Sequence, residues 1–221
     1  MPRHLDRPGG DRTPPAVPVL LIPEIRDYQR INAELVGLLD AGHRRVRLEG
    51  VEGQRLLIAG LVGSWEAVVE LDGRPGPECA ADLDAPGLVV RCSGRAADGA
   101  GRGLKAGRVL FRDGAGDSAG YGQGGGLLVI LGPIGHRAGL DQAGGTFAAL
   151  GPVGRLAGER QSGGRLFLVG GRVGPHAGRG QRGGRRIELP LDAGAGPEDR
   201  AAWDEVLDLA PEWPGPAASD G

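Results

Sequence analysis

Short apolar runs recur along the middle of this chain, and what separates them is mostly glycine. Five-residue stretches at Arg108–Arg112, Leu127–Leu131, Thr146–Leu150, Arg165–Val169 and Arg185–Leu189 carry nearly continuous apolar cores, clearest in Leu127–Leu131 and Leu166–Val169. Runs of this length bounded by glycine read as buried parallel strands, because a helix needs about ten residues or more. Earlier and less regular, Val46–Leu48 and the set Val68, Val69 and Leu71 read as strands of the same kind. Two stretches have helical periodicity instead. Over Glu24–Ala41, the residues Ile25, Tyr28, Ile31, Leu35, Leu38 and Leu39 fall on one stripe, with Pro23 before it and Gly42 placed to end it in a left-handed cap. Over Glu198–Ala210, Ala201, Ala202, Trp203, Val206, Leu207 and Leu209 give a shorter amphipathic helix, read as a second cap or as a docking element.

Between the strands, glycines keep four registers. The first holds Gly94, Asp113, Gly132, Gly151 and Gly171, so three successive steps are 19 residues and the last is 20. The second is Ala97, Gly116, Gly135, Gly154 and Gly174; the third is Gly101, Gly120, Gly139, Gly158 and Gly178; the fourth is Gly107, Gly126, Gly145, Gly164 and Gly184. Repetition at this period predicts a solenoid whose coils bury a core only by stacking. Five strand residues at roughly 3.3 Å each leave about fourteen to turn corners and return, which glycine-rich chain can do. The fold class is therefore all-β: a single-stranded right-handed parallel β-helix of about seven coils, with an N-terminal cap helix and a short C-terminal helix. The hand is the usual one for parallel crossovers. Upstream, Gly50, Gly53 and Gly63 and then Gly73, Gly76 and Ala80 continue the registers with insertions, with Leu57 at the third register of the earliest coil. The chain divides into a disordered tail (1–22), a cap helix (23–42), the β-helix (43–190), and a linker, short helix and tail (191–221). Trp65, in the irregular part, is expected to pack under the cap helix.

Composition changes this picture little. Gly (44) and Pro (17) together exceed a quarter of the 221 residues, which ordinarily signals low complexity, but these glycines have fixed addresses. A formal net charge of −2 gives no electrostatic reason to expect nucleic acid or an anionic membrane. No stretch resembles a signal core or a membrane span, so the expected location is the cytoplasm. Cys79 and Cys92 are too few for a disulfide framework or a four-ligand metal site and read as small buried apolar residues. His43, His136 and His176 have no carboxylate at metal spacing, so no metal site is expected.

Three motifs compete with the structural reading. Gly116-Asp117-Ser118-Ala119-Gly120 fits the nucleophile elbow G-x-S-x-G, with His136 one coil away as a base, yet its glycines recur in coils without serine and no helix follows. Gly101-x-Gly103-x-x-Ala106, Gly120-x-Gly122-x-x-Gly125 and Gly178-x-Gly180-x-x-Gly183 fit the dinucleotide fingerprint, but none opens a helix. Arg172, Arg179, Arg182, Arg185 and Arg186 form a basic, glycine-spaced segment without aromatic residues for base stacking; they are expected on the outside of the last coils.

The pattern Gly-x-x-Gly-x-x-x-Gly on a coil of about 19 residues, clearest in Gly125–Gly139 and Gly163–Gly178, resembles the GXGXG family. That family includes the C-terminal domain of the glutamate synthase large subunit, its free-standing homologues, and a subunit of formylmethanofuran dehydrogenase. The resemblance covers roughly His43–Pro190, and the leader Arg26–Leu57 is similar to the free-standing glutamate-synthase-like proteins. It implies a non-catalytic scaffold subunit in nitrogen metabolism and glutamate biosynthesis, with partners that are a glutamine amidotransferase subunit and an FMN-binding synthase subunit. FMN and an iron–sulfur cluster are implied on the synthase partner, with no catalytic, cofactor or metal residue on this chain. The amidotransferase nucleophile in the family is an N-terminal cysteine, where this sequence has Met1-Pro2. Two other readings stand beside this one: the corresponding subunit of a formylmethanofuran dehydrogenase or formyltransferase/hydrolase complex, and an independent esterase using Ser118.

Overall fold

The computed structural model describes residues 16–22, 27–169, 171–189, 191 and 195–215. Its elements are β1 (Val19–Leu21), α1 (Tyr28–Asp40), β2 (Arg45–Glu52), β3 (Ala67–Arg74), β4 (Asp84–Cys92), β5 (Ala106–Phe111), β6 (Leu127–Ile130), β7 (Thr146–Ala149), β8 (Arg165–Leu168), β9 (Arg185–Glu188) and α2 (Pro197–Leu209). The strands form one nine-stranded sheet in sequence order. Every pairing is parallel; Leu127 stands opposite Thr146, Thr146 opposite Arg165, and Arg165 opposite Arg185. A sheet whose neighbours are always the next strand in sequence, all parallel, is a β-solenoid of about seven turns, as the register spacing predicts.

β6 to β9 are four residues long, one fewer than expected. The fifth residue still bonds back across the ladder, as Leu150 N–H does to Ile130 O at 2.9 Å. Alternate strand positions face the interior: Val109, Leu128, Phe147 and Leu166 form one inner column, Phe111, Ile130, Ala149 and Leu168 another. The intervening column, Leu110, Val129, Ala148, Phe167 and Ile187, faces outward and is also buried, because α2 lies across it. That second burial is why these runs are apolar at nearly every position. On β2 to β4 the outward positions are mostly charged, Arg45, Arg47, Glu70, Asp72 and Arg91, with the half-buried Val68 and Val89 beside them, and Val89 of β4 meets the margin of the α2 cluster.

α1 closes the N-terminal end. Asp27 caps it, accepting from Gln29 N–H and Arg30 N–H at 3.1 and 3.2 Å, while Pro23–Arg26 lie outside the described residues. At its C-terminus Gly42 (φ +85°) and His43 bond back to Leu39 O and Leu38 O, the paired bonds of a Schellman ending. Ile31, Leu35 and Leu39 join the interior beside Val46, Leu48 and Leu57. The Asn32 amide donates to Leu56 O at 2.9 Å and accepts from Ile58 N–H at 2.8 Å, satisfying backbone that no earlier coil reaches. Trp65 packs at the edge of this core as expected, and its indole N–H donates to Asp40 Oδ1 at 2.8 Å.

Three expectations need correction. Residues 1–22 are not all tail: Val19–Leu21 pair with Arg47–Glu49 as β1, since the open edge of a parallel sheet attracts a strand; residues 1–15 lie outside the described set. The third register in the earliest coil belongs to Ile58 rather than Leu57: Ala80 N–H bonds to Leu57 O just as Gly101 N–H bonds to Cys79 O, and Ile58 and Ala80 share the positive φ of Gly101. α2 is a cover on the side of the stack and not an end cap. Its Trp203 lies 5.1 Å from Phe167 and 5.6 Å from Trp213, centroid to centroid. The C-terminal end is finished by a polar coil instead, in which Arg186 and Glu188 take the inner columns that Leu166 and Leu168 hold one coil earlier.

Candidate functional site

Each coil turns its far corner as a ribbon of two consecutive four-residue turns. In one coil Arg102 N–H bonds to Gly99 O and Leu104 N–H to Gly101 O; in the next, Tyr121 N–H bonds to Ser118 O and Gln123 N–H to Gly120 O. Gly101, Gly103, Gly120 and Gly122 hold the third positions of these turns with φ between +63° and +66°, the type II requirement. That accounts for the third register: Gly139, Gly158 and Gly178 occupy the same place. The fourth register is fixed twice over. Gly107, Gly126, Gly145, Gly164 and Gly184 all have positive φ, and a Cβ on Gly145 would stand 2.4 Å from Gly125 O. In the first register a Cβ on Gly94, Gly132 or Gly151 would lie within 2.4 Å of the preceding coil's backbone, while Gly171 has open space and needs glycine for φ +68° alone.

The second register has a different cause. Asp98 Oδ1 accepts from Asp117 N–H at 2.8 Å, Asp117 Oδ1 from His136 N–H at 2.7 Å, and His136 Nδ1 from Arg155 N–H at 3.1 Å. Each side chain reaches over the following coil, and a Cβ on Gly116, Gly135 or Gly154 would sit 2.1–2.4 Å from those same acceptor atoms. For Gly174 the obstacle is the Gly154 carbonyl carbon at 2.6 Å. All the register glycines are thus structural.

Beside the ribbon lies an open depression of about 700 Å³ lined by Arg55, Glu78, Asp98, Arg102, Ser118 and Tyr121. Arg102 lies between Glu78 Oε1 (3.4 Å) and Asp82 Oδ2 (3.1 Å). Ser118 has φ +58°, but so do its counterparts Glu78 (+60°), Arg137 (+59°) and Leu156 (+64°), so the conformation belongs to the coil and not to a nucleophile. Stacking sets His136 over Asp117, not over Ser118. Its Nδ1 is engaged by Arg155 N–H, and among the described residues no hydrogen bond joins the Ser118 hydroxyl to His136. Acyl transfer needs a base hydrogen-bonded to the serine, a contact not seen at Ser118 among the described residues. The dinucleotide-like glycines are equally committed, since Gly120 N–H bonds to Ala100 O and Gly122 N–H to Leu140 O at 2.8 Å each. No group of three His, Cys, Asp or Glu among the described residues is arranged to hold a metal ion.

Cys79 and Cys92 are buried free thiols. Burial pushes both up, Cys92 to about 11, which removes nucleophilic character at neutral pH. On the outer face of β2 and β3, hydrogen bonding from Arg45 holds the Glu70 carboxyl below its ordinary value, and Arg47 adds to the same effect. Arg160 does likewise for Asp141, with its Nε 2.8 Å from Oδ1. Arg172, Arg179, Arg182, Arg185 and Arg186 are exposed on the last coil, but Arg186 stands on an inner column at the open end rather than on the outside as expected, and Arg185 pairs with Asp199 of α2 at 3.0 Å.

One buried polar column escaped the sequence reading. Gln123, Gln142 and Gln161 are fully buried, on the column that Leu61, Leu83 and Leu104 occupy earlier, and Gln181 continues it at the exposed end. Gln142 Nε2 contacts Gln123 Oε1 at 3.5 Å and Gln161 Nε2 contacts Gln142 Oε1 at 3.1 Å, while each amide also donates to glycine carbonyls of its own coil. The signal was available, since these glutamines recur at the glycine period.

Among the described residues no helix is long and apolar enough to cross a membrane. Compared with known protein families, with curated proteins and with solved structures, the chain has no match.

Proposed function

We propose that this chain is a non-catalytic scaffold subunit of a glutamate-synthase-type complex, which holds a glutamine amidotransferase subunit and an FMN-binding synthase subunit in fixed relation. The observation that supports this reading is that the residues carrying the GXGXG resemblance are the ones the coil geometry demands. Gly132, Gly135 and Gly139, for example, answer to backbone approach, to the Asp117 side chain and to a left-handed turn position, respectively. A motif whose every glycine has a structural task asks for no chemistry of its own. What it builds is a stiff stack with a charged outer face on β2 to β4 and a polar ribbon, both of which suit contact with other proteins. Glutamine would be hydrolysed on one partner, and the released ammonia would reach the flavin partner without loss to solvent because the scaffold sets their separation. FMN and the iron–sulfur cluster belong to the synthase partner in this reading, and the cytoplasm is its expected place.

The test is gentle purification of the tagged chain from its native host, followed by identification of what travels with it. A flavoprotein with cysteine-ligated clusters, together with an amidotransferase, is the expected result. Formyltransferase or hydrolase partners would transfer the chain to the one-carbon branch of the family. Coupled glutamine-dependent activity in a complex reconstituted without this chain would end the scaffold reading.

A further inference from the structure

The two ends of the stack are finished differently. At the N-terminal end α1 covers the interior, and Asn32 satisfies both Leu56 O and Ile58 N–H. At the C-terminal end nothing among the described residues plays that part. In the coil before the last, the N–H groups of Val153, Leu156 and Arg160 donate forward to Arg172, Pro175 and Arg179 carbonyls at 2.9, 3.1 and 2.8 Å. Their counterparts one coil on are Val173, His176 and Gly180, and these N–H groups point past the last coil with no acceptor among the described residues. The ladder alternates in the same way: Arg185 N–H bonds back to Gly164 O at 2.9 Å, which turns the N–H groups of Arg186 and Glu188 outward. The glutamine column is also unfinished here. Gln161 Oε1 is buried without a partner, and Gln181 directs its amide to Gly183 O at 3.2 Å instead.

Charge narrows what can cover this end. Arg172, Arg179, Arg182 and Arg186 are exposed on it, and Glu188 is the single acidic residue of the last coil. A second copy stacked end to end would set arginine against arginine. We infer that the C-terminal end of the solenoid binds an acidic segment of a partner protein in extended conformation, added as a further strand beside β9 with its carboxylates on Arg179, Arg182 and Arg186. Backbone pairing supplies the ordered edge that the last coil lacks, and the guanidinium groups select the sign of the partner's charge. The inference stands on the end geometry alone and does not depend on the glutamate-synthase reading.

The experiment uses the full chain and a fluorescein-labelled peptide of alternating glutamate and valine, followed by fluorescence anisotropy. The peptide should bind, more weakly as salt rises, while a lysine–valine peptide should not. Methylating alternate backbone nitrogens of the acidic peptide should abolish binding, since it removes the donors that pair with β9. Arg179→Glu with Arg182→Glu should weaken binding by about tenfold or more, and the corresponding lysine pair should restore most of it. The peptide comparisons are made on the parent chain, so they hold even where a variant misfolds. Failure of the acidic peptide to bind, equal binding of the N-methylated peptide, or displacement of the peptide by single-stranded RNA bound at the same arginines would each overturn the inference.

Discussion

At the scale of single residues, this protein separates glycines that are needed from glycines that are merely present. Gly145 combines φ +67° with a Cβ site 2.4 Å from Gly125 O, whereas Gly124 has nothing within 4 Å of its Cβ site and no positive φ. A left-handed L-residue costs roughly 1–2 kcal/mol before any clash is added. Gly145→Ala should therefore destabilise by at least about 2 kcal/mol, roughly 4–8 °C in melting temperature for a chain of this size, while Gly124→Ala stays within about 0.5 kcal/mol. Equal melting temperatures for the two variants would remove the geometric account of the fourth register. The thiols give a second residue-scale prediction. Burial raises the Cys92 thiol to about 11 in the folded state, above the ordinary value of about 8.5. Unfolded chain thus releases its proton first as pH rises, so this contribution to stability is complete below about pH 8.5 and is lost between there and about 11. Urea unfolding at neutral pH and at about pH 10 should show a drop that Cys92→Ala reduces; an unchanged drop would assign the alkaline loss elsewhere.

At the scale of elements, α2 is held by packing and by one buried carboxylate. Asp199, with 2% side-chain exposure, meets Arg165 Nε and Arg185 Nη1 at 3.0 Å each and accepts from Gly196 N–H at 3.1 Å, closing the first turn of the helix. Asp199 is buried but its partners are partly solvated, Arg165 at 27% and Arg185 at 51% side-chain exposure, so losing the carboxylate should cost less than the about 3–5 kcal/mol of a fully buried pair. Asp199→Ala should release α2, measurable as proteolytic cleavage near the helix and a red shift of the Trp203 emission. Glu198→Ala, whose carboxylate is 84% exposed, should do neither, since exposed pairs contribute about 0–1 kcal/mol. The position of α2 was only partly legible in the sequence. Its amphipathic period showed that one face is covered, but a helix period does not say which surface covers it. The complementary clue lies on the strands, where outward positions are Arg45, Glu70 and Arg91 early in the stack and Leu110, Val129 and Phe167 later. β1 was missed for a related reason: three residues, Val19–Leu21, carry no period of their own and become a strand only because β2 offers an open edge. The glycine registers were legible because each requirement, whether a left-handed φ or the close approach of the preceding coil, repeats with the coil. Ser118 misled for the same reason, since its flanking glycines are fixed by the coil whatever residue stands between them.

At the scale of the whole molecule, each coil touches only its neighbours, so stability along the stack is close to a sum of coil and interface contributions. Interior coils have two interfaces. The first coil has α1 with its Asn32 bridge as a substitute for a missing neighbour, and the last coil has one neighbour and polar inner residues. Local opening is therefore expected to begin at β9 and to move inward, against the restraint of α2, whose Trp203 and Val206 pack with Phe167 and Ile187 on the outer face. Hydrogen exchange on the full chain should give the slowest amides in β5 to β7, fast exchange in β9, and intermediate rates in β2 under the helix cap. In Asp199→Ala the loss of protection should reach β8 and β9 while β2 and β3 keep their rates, because the α2 cluster extends along the sheet only as far as Val89 of β4. An acidic peptide bound at β9 should slow exchange there first, in proportion to its occupancy. Uniform protection from β2 to β9 in the unliganded chain would mean that the solenoid opens as one unit, and the end-to-end asymmetry described by Asn32 at one terminus and the outward N–H groups of Val173, His176 and Gly180 at the other would then carry no energetic weight.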